Sequence, residues 1–269
     1  NTLFVGPLVN GLVFLYNLTG SLGVAIIVFT ILVRLVLTPF ALPSMRTAQK
    51  MKELAPELAK LKLRHKGDRA KFAQAQMDLY KQHGINPAAG CLPQLIPIII
   101  LFALIQVFNS IFTSGGSAVS KLNDFLWPML KLPSDALLNT RFLYFDLTRP
   151  DSFRVEGLPI PLPGALILIA AFAQLISSAM MMPVIEKEAK VAEKTPEGMD
   201  DFAVSMQQSM LWIFPVSTLI IGVSFPSGLV LYWAALSLFQ VAQQYKVSGW
   251  GGLKPLVRKA INFSKNPKL

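Results

Sequence analysis

The stretch Leu22–Leu42, LGVAIIVFTILVRLVLTPFAL, constrains this chain most, because it is 21 residues long, almost wholly apolar and interrupted by one charge, Arg34. A helix that crosses a bilayer needs about 20 mostly apolar residues at a rise of about 1.5 Å each. Basic residues follow soon after it, at Arg46 and Lys50. The stretch therefore predicts a transmembrane helix with an arginine inside it.

The depth of Arg34 leaves two interpretations. Arg34 lies nine positions before Pro43, so its Cα lies about 13 Å from that end of the helix. An arginine side chain reaches about 6 to 7 Å, and an arginine at depth costs about 2.5 to 3.5 kcal/mol on insertion scales. Arg34 either snorkels with local thinning of the bilayer or lies in a water-filled or polar cavity. The distance favours the cavity.

Composition extends this reading to the whole chain. Hydrophobic residues make up 53% of the 269 residues, charged residues 15%, and the mean hydropathy is +0.50, which indicates a polytopic membrane protein rather than a soluble globule. The net charge of +10 would suggest nucleic-acid binding in a soluble domain. In a membrane protein the side on which the basic residues lie indicates the orientation instead, and we expect no DNA binding. The lone Cys91 excludes an internal disulfide framework and a cysteine-only zinc site. We expect no metal and no cofactor, and from the start at Asn1 we expect that any targeting segment is absent or already removed.

The alternation of apolar and polar stretches predicts an all-α protein with five transmembrane helices. The predicted regions are an interfacial or kinked N-terminal helix (1–19), span one (20–43), a cytoplasmic helical hairpin (44–86), span two (87–112), an extracytoplasmic loop (113–161), span three (162–183), a cytoplasmic linker (184–205), span four (206–224), span five (228–246) and a basic cytoplasmic tail (247–269). Of the 25 Lys and Arg residues, 19 lie on the side of the hairpin, the linker and the tail counted from Lys246, and five lie in the 113–161 loop. The positive-inside rule therefore predicts an N-terminus outside and a C-terminus in the cytoplasm.

The 44–86 region predicts two antiparallel amphipathic helices. Gly67 interrupts the pattern and Asp68 is the expected N-cap of the second helix. Apolar residues recur at helical spacing on both sides of that break: Met51, Leu54, Leu58 and Leu61, then Phe72, Ala75 and Leu79. These stripes either pack against each other or lie on lipid headgroups.

Two motifs resemble those of the YidC-type membrane protein insertases, a bacterial family with mitochondrial and chloroplast relatives. Residues 86–93, NPAAGCLP, resemble the entry to that family's second span, and residues 225–233, FPSGLVLYW, resemble its outer turn into the last span. Weaker matches are FLYFDLTRPD at 142–151 and MQQ at 206–208. The resemblance implies five spans around a polar groove that opens to cytoplasm and lipid and is closed outside. Arg34 falls where the family places its groove arginine.

Several residues are candidates for the substrate-binding groove and for the reception of client proteins. Gln174 and Gln240 are our groove candidates beside Arg34, although glutamines in spans are also ordinary helix-to-helix contacts. Trp233 faces the groove by resemblance, with plain packing as the alternative. We assign client reception to the hairpin, through its apolar residues Met51, Leu54, Leu58, Phe72 and Leu79.

The resulting hypothesis is a membrane insertase and chaperone of the bacterial plasma (inner) membrane, not an enzyme, that releases nascent membrane proteins sideways into lipid without hydrolysing a nucleotide. The expected partners are nascent chains, a ribosome bound through the basic hairpin and tail, a Sec-type translocon and anionic lipids. The sequence has no GxxxxGK[ST] loop, and its two histidines, His65 and His83, both lie in the hairpin. A secondary transporter or channel for a small anion is the alternative, although five unequal spans do not divide into repeated halves.

Overall fold

The computed structural model describes residues 2–65, 68–86, 99–106, 108, 118–133, 135–136, 138–157, 160–181, 212–254 and 257. The predictions for the 184–205 linker, for the motif residues 87–93 and 206–208, and for the tail beyond residue 257 lie outside this part of the chain. Within it the protein is mostly helical, as the sequence predicts.

Nine α-helices are described. They are α1 (Thr2–Thr19), α2 (Leu22–Glu53), α3 (Ala55–Arg64), α4 (Arg69–Gln82), α5 (99–106), α6 (Ala118–Asn123), α7 (Ala165–Met181), α8 (Trp212–Gly222) and α9 (Ser227–Ser248). Short 3₁₀ helices follow at Pro128–Leu130 and Gly251–Leu253. Helix α2 continues through Pro39 and Pro43 to Glu53, beyond the end of the predicted span.

The loop between α6 and α7 contains four short strands, which the all-α prediction did not include. They are β1 (Arg141–Phe142), β2 (Phe145–Asp146), β3 (Ser152–Phe153) and β4 (Leu162–Pro163). Strand β1 pairs antiparallel with β2, with Phe142 opposite Phe145, and β3 pairs antiparallel with β4, with Phe153 opposite Leu162. Strands of two residues carry too little alternation to stand out in a sequence.

One helix in the described part of the chain, Leu22–Met51, is long and apolar enough to cross a membrane by length and composition. Shorter apolar helices run over Val5–Thr19, Ala165–Met180 and Trp212–Gly222. The predicted break before the long helix is confirmed, because α1 ends at Thr19 and α2 begins at Leu22. Gly20 makes this turn at φ +66° and donates its N–H to the Tyr16 carbonyl at 2.8 Å, a conformation that glycine adopts without steric cost.

The chain divides into two compact units, of which the first comprises Asn1–Thr38, Gln94–Gln174 and Phe214–Phe239. Its core draws large side chains from most of its described helices and from the loop between α6 and α7. The most deeply buried of them are Leu12, Ile26, Leu104, Phe108, Leu122, Leu147, Ile167 and Tyr232. Gly228, at the start of α9, lies so close to the Phe108 ring that a Cβ atom would collide with it. The glycine of the FPSGL motif therefore allows α9 to pack tightly against the core.

The second unit comprises Pro39–Pro93, Leu175–Ile213 and Gln240–Leu269, and contains the predicted hairpin of α3 and α4. Leu54 at the start of α3 packs with Leu79 and Tyr80 at the end of α4, so the two helices are antiparallel, as predicted. The N-cap prediction is also confirmed, because the Asp68 carboxylate accepts the Lys71 N–H at 3.0 Å. That bond, with the Lys71 side chain beside it, lowers the pKa of Asp68.

Candidate functional site

Helix α2 presents two different faces within the first unit. Ile26, Thr30 and Arg34 follow one another at intervals of four residues and are all buried, so they share the face that packs on the protein. The opposite face is exposed and apolar, at Ile31, Leu32, Leu35 and Val36. Arg34 therefore points into the protein, whereas the exposed apolar face of the same helix suits contact with lipid.

Arg34 is buried without the partners that a buried charge usually has. Its side chain is 8% exposed, and neither Nε nor Nη2 has a hydrogen-bond partner among the described residues. The ion pair found within those residues joins Lys71 to Asp68, at 2.9 Å. Burying an ionised group costs several kcal/mol unless it is paired. An unpaired guanidinium on an inward face therefore has the chemistry of a binding group, with hydrogen-bond donors available for an anion, a carbonyl oxygen or water.

The other polar side chains buried in the first unit mostly have their hydrogen bonds made. The Asn10 amide donates to the carbonyls of Gly6 and Phe125, at 2.8 and 2.9 Å, and its oxygen accepts the Trp127 N–H at 2.7 Å. The Thr30 hydroxyl donates to the Ile26 carbonyl at 2.6 Å. In the described residues, the two Arg34 nitrogens are the buried side-chain polar atoms that lack a partner. This contrast marks Arg34 as the exception in an otherwise satisfied core.

Tyr232 of α9 is the neighbour of Arg34 that the sequence reasoning missed. It is fully buried and lies close enough to Arg34 for the two groups to interact electrostatically. The signal was present, because Tyr232 belongs to the FPSGLVLYW motif that carries the family resemblance. The structure therefore brings the first and last predicted spans together at this arginine.

The other groove candidates are not hydrogen-bonded to Arg34. Gln174 of α7 accepts the Thr218 hydroxyl of α8 at 2.8 Å, which is a helix-to-helix contact. Trp233 is half-buried and its ring packs edge-on against Phe225, with 5.9 Å between the ring centres. Gln240 is half-buried on α9 and belongs to the second unit. Their role in a groove stays a prediction.

The residues assigned to client reception mostly form the interior of the hairpin. Leu54 and Leu79 are buried together with Tyr80 and Ile85, and Met51, Leu58 and Leu61 pack around them. Phe72 is half-buried. The large apolar side chains that the described part of the hairpin exposes are Leu63 and Met77. Of the two arrangements that the sequence left open, the described hairpin has the stripes packed against each other.

A second buried charge, Asp151, lies in the loop between β2 and β3 and ties two elements together. Its carboxylate accepts the Leu166 N–H at the start of α7 at 2.8 Å and the Tyr144 hydroxyl at 3.1 Å. The carboxylate thereby satisfies a donor that the first turn of a helix leaves free. Partial burial, followed by the hydrogen bond to Asp151, raises the pKa of Tyr144.

The same loop also holds the start of α9. The Ser227 N–H donates to the Arg149 carbonyl at 2.8 Å, and the Gly228 N–H donates to the Leu147 carbonyl at 3.0 Å. The Ser227 hydroxyl donates to the Asp146 carbonyl at 2.7 Å. Residues 146–151 therefore join the first turns of α7 and α9, and we call this segment the loop clamp.

These features define the class first: a helical membrane protein whose long apolar helix carries a buried arginine, two nitrogens of which have no partner among the described residues. The family follows from comparison with known sequences. Residues 14–250 match the profile of the 60Kd inner membrane protein family, so the chain belongs to that family.

Curated relatives of this chain include membrane protein insertases. It is 32% identical to Membrane protein insertase YidC of Syntrophobacter fumaroxidans over 92% of this chain and 38% of the relative. It is 31% identical to YidC of Fusobacterium nucleatum, over 87% of this chain and 91% of the relative, and 32% identical to YidC 2 of Bacillus anthracis, over 93% and 81%. The chain thus spans little more than a third of the first relative and most of the other two.

Proposed function

We propose that this chain is a membrane protein insertase that receives nascent hydrophobic segments at Arg34 and releases them sideways into the bilayer. The names of its relatives support the activity. The observation that carries the proposal is Arg34 itself, which is 8% exposed on the inward face of α2 with two unpaired nitrogens in the described residues. A charge kept at this cost inside a membrane helix is expected to serve substrate rather than stability.

The proposed architecture has five spans around a polar groove that opens to the cytoplasm and to lipid. Helix α2 supplies the first span, α7 the third, α8 part of the fourth and α9 the fifth, while α5 lies within the predicted second span. The burial of Tyr232 of α9 near Arg34 of α2 supports a groove bounded by the first and fifth spans. Positive charge on the side of the hairpin favours an N-terminus outside and a cytoplasmic tail.

The proposed mechanism lowers the cost of moving a polar segment across the bilayer. A hydrated, cationic groove shortens the hydrocarbon distance that the polar end of a client must cross. Arg34 attracts acidic or polar groups of that end, which then gain roughly 2.3 kcal/mol per negative charge moved outward per 100 mV. The client's own apolar residues leave for lipid at a gain of about 0.3 to 0.6 kcal/mol each. No step of this scheme needs nucleotide hydrolysis.

In this scheme the α3–α4 hairpin is a folded platform that meets the client before the groove does. Its apolar stripes hold the hairpin together, so client contact falls to its outer surface, which includes Leu63 and Met77. Its basic residues and those of the tail suit ribosomal RNA or anionic lipid. Cooperation with a Sec-type translocon belongs to the same proposal.

A secondary transporter or channel for a small anion is the second candidate, because an unpaired guanidinium is also a suitable anion site. Proteoliposomes distinguish the two activities. The insertase proposal expects protease-protected insertion of a single-span client whose short acidic tail must cross the membrane, and no uptake of labelled chloride or phosphate. Anion uptake without client insertion would favour the transporter.

Arg34→Ala is the direct test in those proteoliposomes. We expect insertion of the acidic-tailed client to fall at least tenfold, with Arg34→Lys retaining part of the activity, because charge survives in lysine but the guanidinium fork does not. Arg149→Ala, which removes an exposed arginine of the loop clamp, is the matched control and should insert the client normally. Full activity of Arg34→Ala would refute a required charge.

Replacing α3 and α4 by a glycine-serine linker should abolish insertion, and wild-type activity would remove the hairpin from the mechanism.

A further inference from the structure

The two small hairpins of the loop between α6 and α7 expose large apolar side chains. Leu143, in the turn between β1 and β2, is 82% exposed. Phe153 of β3 is 54% exposed and Ile160, just before β4, is 66% exposed. The Tyr144 hydroxyl bonds to the Asp151 carboxylate and so links the two hairpins. They therefore form one body with several apolar side chains at its surface.

The backbone at Leu143 indicates that this exposure has a use. Its φ is +53°, and it is the one non-glycine residue with positive φ in the described chain. Two-residue hairpin turns with positive φ favour glycine, asparagine or aspartate, because other side chains are strained there. A leucine at this position does not ease the strained backbone and does not pack against the protein, but it places an apolar side chain at the tip of the β1–β2 hairpin. Backbone outliers of this kind point to a contact outside the chain.

The two hairpins lie next to the first turns of three helices. The Leu22 N–H at the start of α2 donates to the Asn139 carbonyl at 3.2 Å, and Asp151 caps the start of α7. The loop clamp bonds to the first two N–H groups of α9. Three apolar helices thus begin beneath this one body, which places it at the level where hydrocarbon gives way to lipid headgroups.

The charges of the loop match an anionic surface. Within the described residues of 141–163, Arg141, Arg149 and Arg154 are exposed, and Glu156 is the exposed acid. Two acidic side chains of the same segment face inward, since Asp151 is 7% exposed and Asp146 is held by the Thr148 N–H and hydroxyl at 3.0 and 2.7 Å. Exposed apolar side chains suit the boundary between headgroups and acyl chains, and exposed arginines suit the lipid phosphates.

We propose that the two hairpins rest in the bilayer surface, with Leu143, Phe153 and Ile160 in the headgroup region and Arg141 and Arg154 on the phosphates of anionic phospholipid. The surface anchors the body that caps α7 and α9, whichever substrate the Arg34 site takes. The inference therefore requires membrane residence alone, and it stands or falls separately from insertase activity.

Depth-dependent quenching tests this surface. Single cysteines at Leu143, Phe153 or Ile160, in a full-length Cys91→Ser background, carry an environment-sensitive fluorophore after reconstitution into vesicles. Asp135→Cys and Glu156→Cys are the matched controls, because both side chains are exposed in the same loop and neither is apolar. We expect headgroup-region nitroxide lipids to quench the three apolar positions at least about twofold more than the controls, and aqueous iodide to quench them correspondingly less.

The arginines are tested in vesicles of phosphatidylcholine with and without phosphatidylglycerol. Phosphatidylglycerol should increase lipid quenching at Leu143, and the double variant Arg141→Gln, Arg154→Gln should lose that increase. Iodide quenching at the apolar positions equal to that of the controls would overturn the proposal by placing the tips in water. Protection from both quenchers would overturn it as well, because the tips would then face protein, such as a second copy of this chain.

Discussion

Arg34 and Asp151 are both buried charged side chains of the first unit, but their surroundings are opposite. Asp151 accepts a backbone N–H and a tyrosine hydroxyl and so joins two elements. Two nitrogens of Arg34 have no partner in the described residues. A hydrogen-bonded buried charge contributes to the fold, whereas an unpaired one costs stability. The pair therefore separates a structural charge from a proposed substrate charge within one unit.

Asp151→Ala should have the largest effect on stability. It leaves the Leu166 N–H and the Tyr144 hydroxyl without their acceptor, which should lower the free energy of unfolding by about 2 to 4 kcal/mol. Thermal unfolding in nanodiscs measures this as a fall in apparent Tm. Asp124→Ala, an exposed carboxylate of the preceding loop, should change Tm little. Equal small shifts in both variants would show that the Asp151 contacts do not hold the fold.

Gly164→Ala should have the next largest effect and shows whether space around Asp151 matters. A Cβ atom at residue 164 would collide with the Asp151 carboxylate, and relieving the collision should cost about 1 to 3 kcal/mol. The same substitution in an Asp151→Ala background should cost much less, because the colliding atoms are gone. Equal costs in the two backgrounds would show that the effect of Gly164→Ala does not depend on the Asp151 carboxylate.

A smaller, pH-dependent effect is expected at Asp146 in the loop clamp. Partial burial raises the pKa of Asp146, but the hydrogen bonds from the Thr148 N–H and hydroxyl, together with the Thr140 side chain and the charge of Arg149, lower it below its ordinary 3.8. A depressed folded-state pKa stabilises above the unfolded value and loses that contribution as the pH falls through the folded one. Thr148→Val should therefore lower Tm at pH 6 and progressively less below pH 4. A constant difference across this range would mean that ionised Asp146 is not the acceptor that matters.

Arg34→Met should change stability least and function most. Replacing a buried, unpaired charge by an apolar side chain of similar length should leave the apparent Tm unchanged or raise it. Insertion of the acidic-tailed client should nevertheless be lost, which protease protection measures. A fall in Tm as large as that of Asp151→Ala would show that Arg34 is a structural charge, and the contrast between the two residues would disappear.

The sequence predicted the features that depend on local pattern. Asp68 marks a helix start through its capping side chain, which is readable over a few residues. Arg34 stood out because a charge within an apolar run is rare. The caps on α7 and α9 were not predicted, because Asp151 meets Leu166 and Arg149 meets Ser227 across the fold. Tyr232 was not predicted as a neighbour of Arg34, because the sequence of a predicted span does not show which of its residues faces another helix.

The loop clamp bonds to α9 through the carbonyls of Leu147 and Arg149 rather than through their side chains. Every residue type has a main-chain carbonyl, so these two hydrogen bonds do not require a particular residue at position 147 or 149. Homologues could therefore exchange Leu147 and Arg149 and keep these two bonds, whereas the bond from the Asp151 carboxylate to the Leu166 N–H depends on its side chain. Shape and loop length are therefore the traits to compare when searching distant relatives for the same joint.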